Sequence, residues 1–354
     1  VKRASTSALL AMSSFGKLLA ALAIAFASPL CHAAAVQTES ADVEVCLASD
    51  SECRLSRGRP AAQREHLLLQ LPGHVGRAPA PESLAQGPMR WRRSGRTSGN
   101  GQWCRGEQPG FGWNLKGCSA DRGPALRVKV MTYNLFWWNL FGRQFRNGNG
   151  GSAGKLIASG ADGLDYDFMG FQECEDVARV LRDGGLEGTY ATIPGDHAVA
   201  MAYRRGAWEV LGHGMDDVAE DRREQWYGKR GVMWARFRHK ETGKTVLFLN
   251  HHGPLPVGTG GTCGRHATAW NILRTIAAHA DESDGLVLVG DFNADGRCQT
   301  IREIERRMHR VYTGRVFGGV DHVFSSCGGS RVVSRRNLGG GGSDHDALDV
   351  VIEL

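Results

Sequence analysis

Six short segments of this chain place carboxylate, amide or imidazole side chains directly after apolar or glycine-rich runs. They are Thr132-Tyr133-Asn134, Phe171-Gln172-Glu173, Asn250-His251-His252, Gly290-Asp291-Phe292-Asn293-Ala294, Asp321-His322 and Ser343-Asp344-His345. Each residue taken alone is more simply an ordinary turn residue, because Asp and Asn commonly follow strands. Six such segments along one chain indicate a shared functional site.

This set of side chains has the chemistry that phosphodiester hydrolysis requires. Because a phosphodiester is anionic, attack by water needs neutralisation of charge, and Mg²⁺ provides it through oxygen ligands. Asn134, Glu173 and Asp344 carry oxygens suited to such an ion. The attacking water also needs a base or an orienting acceptor. Asp291 can fill that role, with Asn293 fixing its geometry.

Two histidines of the set are candidates for proton donation. The developing charge and the leaving oxygen need hydrogen-bond donors in the transition state. His252 and His345 can supply them. Asp321 could hold one imidazole in its reactive tautomer, as a carboxylate does for a catalytic histidine.

The elements that must position these residues are a mixture of strands and a helix. Runs rich in β-branched and aromatic residues predict strands at Arg127–Tyr133, Phe168–Phe171, Ala198–Tyr203, Trp208–Leu211, Gly231–His239, Thr245–Asn250, Leu286–Gly290 and Asp349–Leu354. Apolar spacing predicts a helix at His266–Ala280. Since hairpin patterns outnumber strict βαβ units, two packed sheets flanked by helices are favoured over a doubly wound parallel sheet.

In these motifs and in their order, the chain resembles the endonuclease/exonuclease/phosphatase superfamily. That superfamily includes DNase I-like nucleases, neutral sphingomyelinases and inositol-polyphosphate 5-phosphatases. The resemblance implies a DNase I-like α/β (α+β) fold, a four-layer sandwich of two packed mixed β-sheets flanked by helices. It also implies a divalent-metal site at one rim of the sandwich.

The resemblance assigns a role to each matched residue. Its metal site comprises Asn134, Glu173 and Asp344. Its catalytic residues are His252, Asp291, Asn293, Asp321 and His345, with Asp321 orienting His345. His252 is preferred to His251, because the third position of the family's Asn-x-His motif is the functional one. Asp346, which lies beyond the motif, is expected to be structural.

Two further positions bear on the resemblance. Arg230 precedes the segment Gly231–Phe237, where DNase-like members place an arginine that contacts phosphate, so it is the predicted substrate-binding residue. An arginine at a hairpin edge is an equally good interpretation, since exposed arginines are common. A carboxylate that would orient the first histidine matches Asp196 only with a shift of one residue.

The chain before the patterned region divides into two segments. Residues 12–33 combine Lys17, the apolar run Leu18–Ala27 and the small residue Ala33, a pattern typical of a secretory signal peptide over residues 1–33. The protein is therefore predicted to be secreted, and no other stretch approaches transmembrane length. Residues 34–126 are poorly patterned, and residues 127–354 are predicted to form the catalytic domain.

Cysteine usage agrees with export. Eight cysteines remain after Cys31 is removed with the leader, and an even count in an oxidising compartment suggests disulfides. Proximity in sequence suggests the pairs Cys46–Cys53 and Cys104–Cys118, and Cys298–Cys327 could join two later loops. Cys174 is expected to be a plain buried thiol. Spacing alone leaves the connectivity open.

The charge of the chain says little about its substrate. The formal net charge is +6, of which residues 1–33 contribute +3 and residues 34–127 contribute +4, from 13 basic and nine acidic residues. The predicted catalytic region therefore has a net charge close to zero. Global charge is weak evidence for a nucleic-acid substrate.

The leading hypothesis is a secreted DNase I-like endonuclease that uses Mg²⁺, with Mn²⁺ as a substitute or Ca²⁺ assisting. The first alternative is a phosphodiesterase or phosphatase acting on a phospholipid head group or a small phosphoester at the same site. The second is a catalytically inactive binding module. The complete set of acids, amides and histidines argues against an inactive protein. The sequence indicates no protein partner.

Overall fold

The computed structural model describes Cys104 and residues 108–118, 125–136, 150–161, 163–225 and 227–354. The predicted signal peptide, the suggested pair Cys46–Cys53 and most of the segment 34–126 lie outside the described residues. The leader and the domain boundary at residue 127 therefore stay predictions.

The described residues form twelve strands and four α-helices. The strands are β1 (Arg127–Asn134), β2 (Phe168–Gln172), β3 (Tyr190–Pro194), β4 (Val199–Arg204), β5 (Trp208–Glu220), β6 (Lys229–His239), β7 (Thr245–His252), β8 (Gly285–Asp291), β9 (His309–Thr313), β10 (Asp321–Ser325), β11 (Val332–Gly339) and β12 (Ala347–Glu353). The helices are α1 (Gly150–Gly160), α2 (Val177–Asp183), α3 (Arg265–His279) and α4 (Gln299–Glu305). None of these helices is long and apolar enough to cross a membrane. Every predicted strand and the predicted helix overlap an observed element.

The strands form two six-stranded mixed sheets. The first sheet has the order β11-β12-β1-β2-β4-β3, and the second has the order β5-β6-β7-β8-β10-β9. The central pairs β1/β2 and β7/β8 are parallel, whereas the other neighbouring strands are antiparallel. This topology confirms the predicted pair of mixed sheets.

The two sheets pack face to face around one apolar layer. Val130 and Phe168 of the first sheet share a buried cluster with Phe248 and Val289 of the second. The ring of Phe168 lies 5.2 Å from that of Phe248 across the interface. Alternate residues of each strand enter this layer, because side chains alternate between the faces of a sheet.

Helices cover the outer face of each sheet. Ile157 of α1 and Val180 of α2 pack on the first sheet. Ile272 of α3 and Ile301 of α4 pack on the second sheet. The resulting order of layers, helix–sheet–sheet–helix, confirms the four-layer sandwich. Since the central strands are covered on both faces, they are continuous apolar runs in the sequence.

Strand direction brings the polar motifs to one edge of the sandwich. The parallel strands β1, β2, β7 and β8 end at this edge, and the antiparallel strands β10 and β12 begin there. In the second sheet, Asp291 is in register with both His252 and Asp321. Asp321 therefore starts a strand, which corrects the expectation that it directly follows an apolar run. An antiparallel strand reaches this edge only with its first residues.

Buried amides join the two sheets just beneath this edge. Gln172 Nε2 of the first sheet donates to Asn250 Oδ1 of the second at 2.5 Å. Asn250 Nδ2 in turn donates to the carbonyl oxygens of Phe171 and Ala200 at 2.9 and 3.0 Å. A Cβ atom at Gly170 would lie 2.8 Å from the Asn250 side chain, so this close approach requires glycine. These two motif amides hold the sheets together.

The disulfides differ from the pairs suggested by proximity. Cys104 is bonded to Cys263 and Cys118 to Cys327, while Cys174 and Cys298 are buried cysteines outside these two bonds. The suggested pairs Cys104–Cys118 and Cys298–Cys327 are wrong, whereas the buried thiol at Cys174 is confirmed. The reason is that residues 108–118 lie along the sandwich, with Leu115 in the core beneath the second sheet. Chain packing, which spacing does not reveal, decides the partners.

Peptide mapping under non-reducing conditions tests these bonds. We expect linked peptides for Cys104–Cys263 and Cys118–Cys327, with Cys174 and Cys298 alkylated only after denaturation. Replacing both Cys118 and Cys327 by serine should lower the free energy of unfolding by about 2–4 kcal/mol, because the bond closes a long loop. A linked Cys104–Cys118 peptide would contradict the assignment.

Candidate active site

The buried carboxylate of Asp291 lies at the centre of the polar edge. Asp291 ends β8 and is 1% exposed. Its Oδ2 accepts a hydrogen bond from Asn134 Nδ2 at 3.1 Å, and its Oδ1 accepts one from the backbone N–H of Asn293 at 2.8 Å. The Nε2 atoms of His252 and His345 lie 3.7 and 3.6 Å from Oδ2. One oxygen thus faces both candidate histidines.

Local backbone geometry explains how Asp291 is aimed. Gly290 has φ +152°, and a Cβ atom there would lie 2.0 Å from the carbonyl oxygen of His251. Glycine is therefore required directly before Asp291. Asn293 has φ +47°, which Asn tolerates better than most residues. Its Nδ2 donates to the carbonyl oxygen of Gly253 at 3.0 Å, which fixes the turn that supports Asp291.

His345 and Asp321 form a hydrogen-bonded pair. His345 Nδ1 lies 3.0 and 3.2 Å from the two carboxylate oxygens of Asp321 and donates to them. Burial lowers the pKa of His345, but Asp321 and Asp291 outweigh it and raise the pKa to about 10. Burial raises the pKa of Asp291 to about 6, although His345 opposes the shift. His345 is therefore an imidazolium that presents its Nε2 proton beside Asp291.

Glu173 lies beside this group at the end of the first sheet. It follows β2 with φ +52° and is buried. Asn134 Nδ2 donates to Glu173 Oε1 at 3.3 Å as well as to Asp291, while Asn134 Oδ1 accepts the N–H of Phe136 at 3.0 Å. The amide of Asn134 therefore turns its nitrogen, and not the predicted ligand oxygen, toward the carboxylates. A role for Asn134 in holding a metal stays a prediction.

The edge offers the donor set of a divalent-metal site. Single atoms of Asp291, Asp321 and His345 lie within 4.8 Å of one another. His345 Nδ1 is already engaged by Asp321, so this trio is better suited to proton handling. The carboxylate of Glu173, next to Asp291, offers the hard oxygen donors that Mg²⁺, Mn²⁺ or Ca²⁺ prefers. The charge of Asp344 raises the pKa of His345, which places this acid near the same group.

His252 is held by a buried arginine. Arg230 Nη1 donates to His252 Nδ1 at 3.1 Å, and the rest of the Arg230 guanidinium pairs with Asp221. His252 Nε2 lies 3.9 Å from Glu173 Oε1. Only 7% of the Arg230 side chain is exposed. The predicted contact between Arg230 and a phosphate stays a prediction.

The remaining sequence candidates have structural contacts. His251 is buried and donates from Nδ1 to the carbonyl oxygen of Gly231 at 2.8 Å. Asp346 accepts a hydrogen bond from Asn337 Nδ2 at 2.8 Å. Asp196 is an exposed residue whose backbone N–H points to the sulfur of Met215. Sequence reasoning missed Asp221, because no motif marks this residue of the β5–β6 connection.

Comparison with known proteins identifies the family to which the chain belongs. The sequence model of the Endonuclease/Exonuclease/phosphatase family matches residues 136–345, which is more than half of the chain. The chain belongs to this family. The family and the chemistry of the edge make it a phosphoric ester hydrolase. No curated protein matches the chain significantly in sequence.

Two solved structures share the fold. An endonuclease/exonuclease/phosphatase family protein of Bacteroides thetaiotaomicron is 20% identical, with a TM-score of 0.51, and covers 65% of this chain and 98% of its own. A mannosyl-6-phosphatase of the same organism is 21% identical, with a TM-score of 0.50, and covers 64% of this chain and 99% of its own. At these identities the likeness shows the fold alone.

Two buried histidines beside the site are neutral. His322 Nε2 donates to the carbonyl oxygen of Ala294 at 2.9 Å, and its Nδ1 lies 3.0 Å from Thr313 Oγ1. Burial lowers the pKa values of His322 and His251 to about 4. Protonation of either ring would therefore oppose folding.

These depressed pKa values predict a loss of stability in mild acid. The pKa of a histidine in the unfolded chain is about 6.5. Each buried neutral ring therefore contributes fully to the free energy of unfolding above that pH, and its contribution is lost as the pH falls toward 4. Between pH 7 and pH 5 the loss is about 2 kcal/mol per histidine. Urea unfolding of the wild type and His322→Phe at both pH values measures it. Between pH 7 and pH 5, the free energy of unfolding of His322→Phe should fall by about 2 kcal/mol less than that of the wild type. Equal decreases in the two proteins would contradict the assignment of His322 as a neutral buried ring.

Proposed function

We propose that this protein is a secreted, divalent-metal-dependent phosphodiesterase that hydrolyses nucleic acid as a DNase I-like endonuclease. The observation that carries the proposal is the convergence of two buried histidine Nε2 atoms on one oxygen of Asp291. Such a group can handle a proton on each side of a reacting phosphate. The hydrolase chemistry follows from the family and the site, whereas the substrate and the export are proposed.

Asp291 has the properties of a base for water. With a pKa near 6, it is ionised at neutral pH and still a competent proton acceptor. The N–H of Asn293 holds Oδ1, which leaves Oδ2 directed toward the two histidines. A water at Oδ2 would lie within reach of both imidazoles.

The two histidines would stabilise the charge that develops on the phosphate. His345 is an imidazolium and can donate its Nε2 proton to a phosphate oxygen or to the leaving oxygen. Asp321 keeps Nδ1 of His345 as the donor to a carboxylate, so Nε2 stays available. His252 Nε2 faces the same point from the other strand.

A divalent cation fits the oxygen donors of this edge. When bound, Mg²⁺ would neutralise phosphate charge at the reacting centre, with Mn²⁺ as a substitute and Ca²⁺ as an assisting ion. Glu173 would be its main carboxylate ligand, with Asn134 and Asp344 completing the predicted set. Buried carboxylates of Glu173 and Asp291 side by side favour a cation, because like charges repel in a medium of low polarity.

The segment Gly290–Asp295 supports a nucleic-acid substrate, because its sequence is close to the corresponding motif of DNase I-like enzymes. The two disulfides and the predicted leader support export. A small phosphoester or a lipid head group is the second candidate substrate. One structure with the same fold is a mannosyl-6-phosphatase, which favours the small phosphoester within that class.

Nicking of supercoiled plasmid tests the proposal directly. We expect the full chain to nick DNA with Mg²⁺ and to lose this activity in EDTA. Asp291→Ala and His345→Ala should each lower the rate by about three orders of magnitude or more, because each removes a group that acts on protons in the transition state. Far-ultraviolet circular dichroism checks that the variants are folded.

The outcomes separate the candidate substrates. Rates of the variants within tenfold of wild type would remove Asp291 and His345 from the catalytic set. A folded wild type that does not nick DNA but releases phosphate from a sugar phosphate, or phosphocholine from a phospholipid, would replace the nuclease with the second candidate.

Glu173→Gln tests the metal site separately. The neutral amide should raise the Mg²⁺ concentration for half-maximal activity by about tenfold or more, because it removes the main charged ligand. Asp346→Asn is the matched control, since Asp346 bonds to Asn337 at the surface. A titration curve of Glu173→Gln that superimposes on the wild type would exclude Glu173 from the metal site.

A further inference from the structure

Arg230 is fixed by a buried ion pair that the proposed chemistry does not explain. Its Nε donates to both carboxylate oxygens of Asp221 at 3.0 and 3.2 Å, and its Nη2 donates to Oδ2 at 2.9 Å. Asp221 is fully buried, and the Arg230 side chain is 7% exposed. Two-point pairing leaves a planar guanidinium little freedom to rotate.

The third contact of Arg230 determines the state of His252. Arg230 Nη1 lies 3.1 Å from His252 Nδ1. A guanidinium can only donate, so Nδ1 must be the acceptor and cannot carry a proton. The proton of a neutral His252 ring is therefore on Nε2, the atom that faces Asp291 and Glu173.

Asp221 also holds the loop that follows His252. Its Oδ1 accepts the backbone N–H of Leu255 at 2.7 Å. The N–H of Gly253 donates to the carbonyl oxygen of Asp291 at 2.7 Å, so the same loop is attached to β8. One carboxylate thus positions both the arginine behind the histidine and the backbone beyond it.

We propose that Asp221 and Arg230 are positioning residues for His252. They orient its ring and keep Nδ1 as the acceptor, so that Nε2–H is aimed at the phosphate that reacts above Asp291. This inference rests on the proposed phosphodiesterase function. It gives Arg230 a different role from the predicted phosphate contact, and the two roles affect the kinetics differently.

Steady-state kinetics of the full chain with Mg²⁺ and bis(p-nitrophenyl) phosphate distinguish the roles. We expect Arg230→Ala and Asp221→Asn to lower kcat by about 100-fold, because the Nε2–H donor of His252 would no longer be held in the orientation that the reaction needs. KM should stay within about threefold of the wild-type value. Added guanidinium should restore part of the kcat of Arg230→Ala. Arg230→Lys, which cannot pair at two points, should remain impaired.

Arg236→Ala is the matched control. Arg236 lies on the same strand and makes the same two-point pair with Asp284, with Nε and Nη2 contacts of 2.8 to 3.1 Å. Its removal should lower stability without lowering kcat. An equal loss of kcat in both arginine variants would reduce Arg230 to a structural residue. A rise in KM with kcat unchanged would instead make it a phosphate ligand. Either result overturns the proposal.

The tautomer of His252 gives a readout that needs no activity. Two-bond ¹H–¹⁵N correlations of ¹⁵N-histidine protein at pH 8, assigned with His252→Gln, should show His252 as the Nε2–H form. Arg230→Ala should lose this preference, and Arg236→Ala should keep it. An Nδ1–H ring in the wild type would overturn the inference. If the wild type cleaves no phosphoester, the proposed function fails, and the spectrum still decides the role of Arg230.

Discussion

The burial of one carboxylate governs the arrangement of this molecule. Removing an ionised carboxylate from water costs several kcal/mol unless neighbouring groups compensate. Asp291 is compensated by Asn134 from the first sheet, by the backbone of Asn293 and by the charge of His345. These partners come from distant parts of the chain, so both sheets must be in register for Asp291 to be tolerated. The fold and this buried carboxylate are therefore mutually dependent.

The two histidines that face Asp291 are hydrogen-bonded at Nδ1 to side chains of opposite charge. His345 donates from Nδ1 to the carboxylate of Asp321, which favours the imidazolium. His252 accepts at Nδ1 from the guanidinium of Arg230. Two similar rings, one at the end of β7 in the second sheet and one just before β12 of the first sheet, thus have side chains of opposite charge behind them. Such an asymmetric pair suits a reaction in which one side of the phosphate gains a proton and the other is oriented.

The sequence predicted the parallel central strands well, but it missed the edge strands β3, β9 and β11 and also the buried inner strand β10. The strands β1, β2, β7 and β8 are apolar runs because they are buried on both faces, and their ends carry the recognisable motifs. The edge strands β3, β9 and β11 are only partly buried, so their apolar signal is weak. Asp221 escaped detection for a related reason, because its contact with Arg230 forms only when β5 pairs with β6.

The sequence by itself determined the class of fold, the family and the residue types of the site, since these are recorded in local motifs and their order. Only the tertiary structure decided which residues are disulfide and hydrogen-bond partners. It paired Cys118 with Cys327, placed Arg230 between Asp221 and His252, and turned the nitrogen of Asn134 toward the carboxylates. Hydrogen-bond direction and disulfide partners depend on distances of a few ångströms between residues far apart in sequence. Local patterns carry no information at that scale.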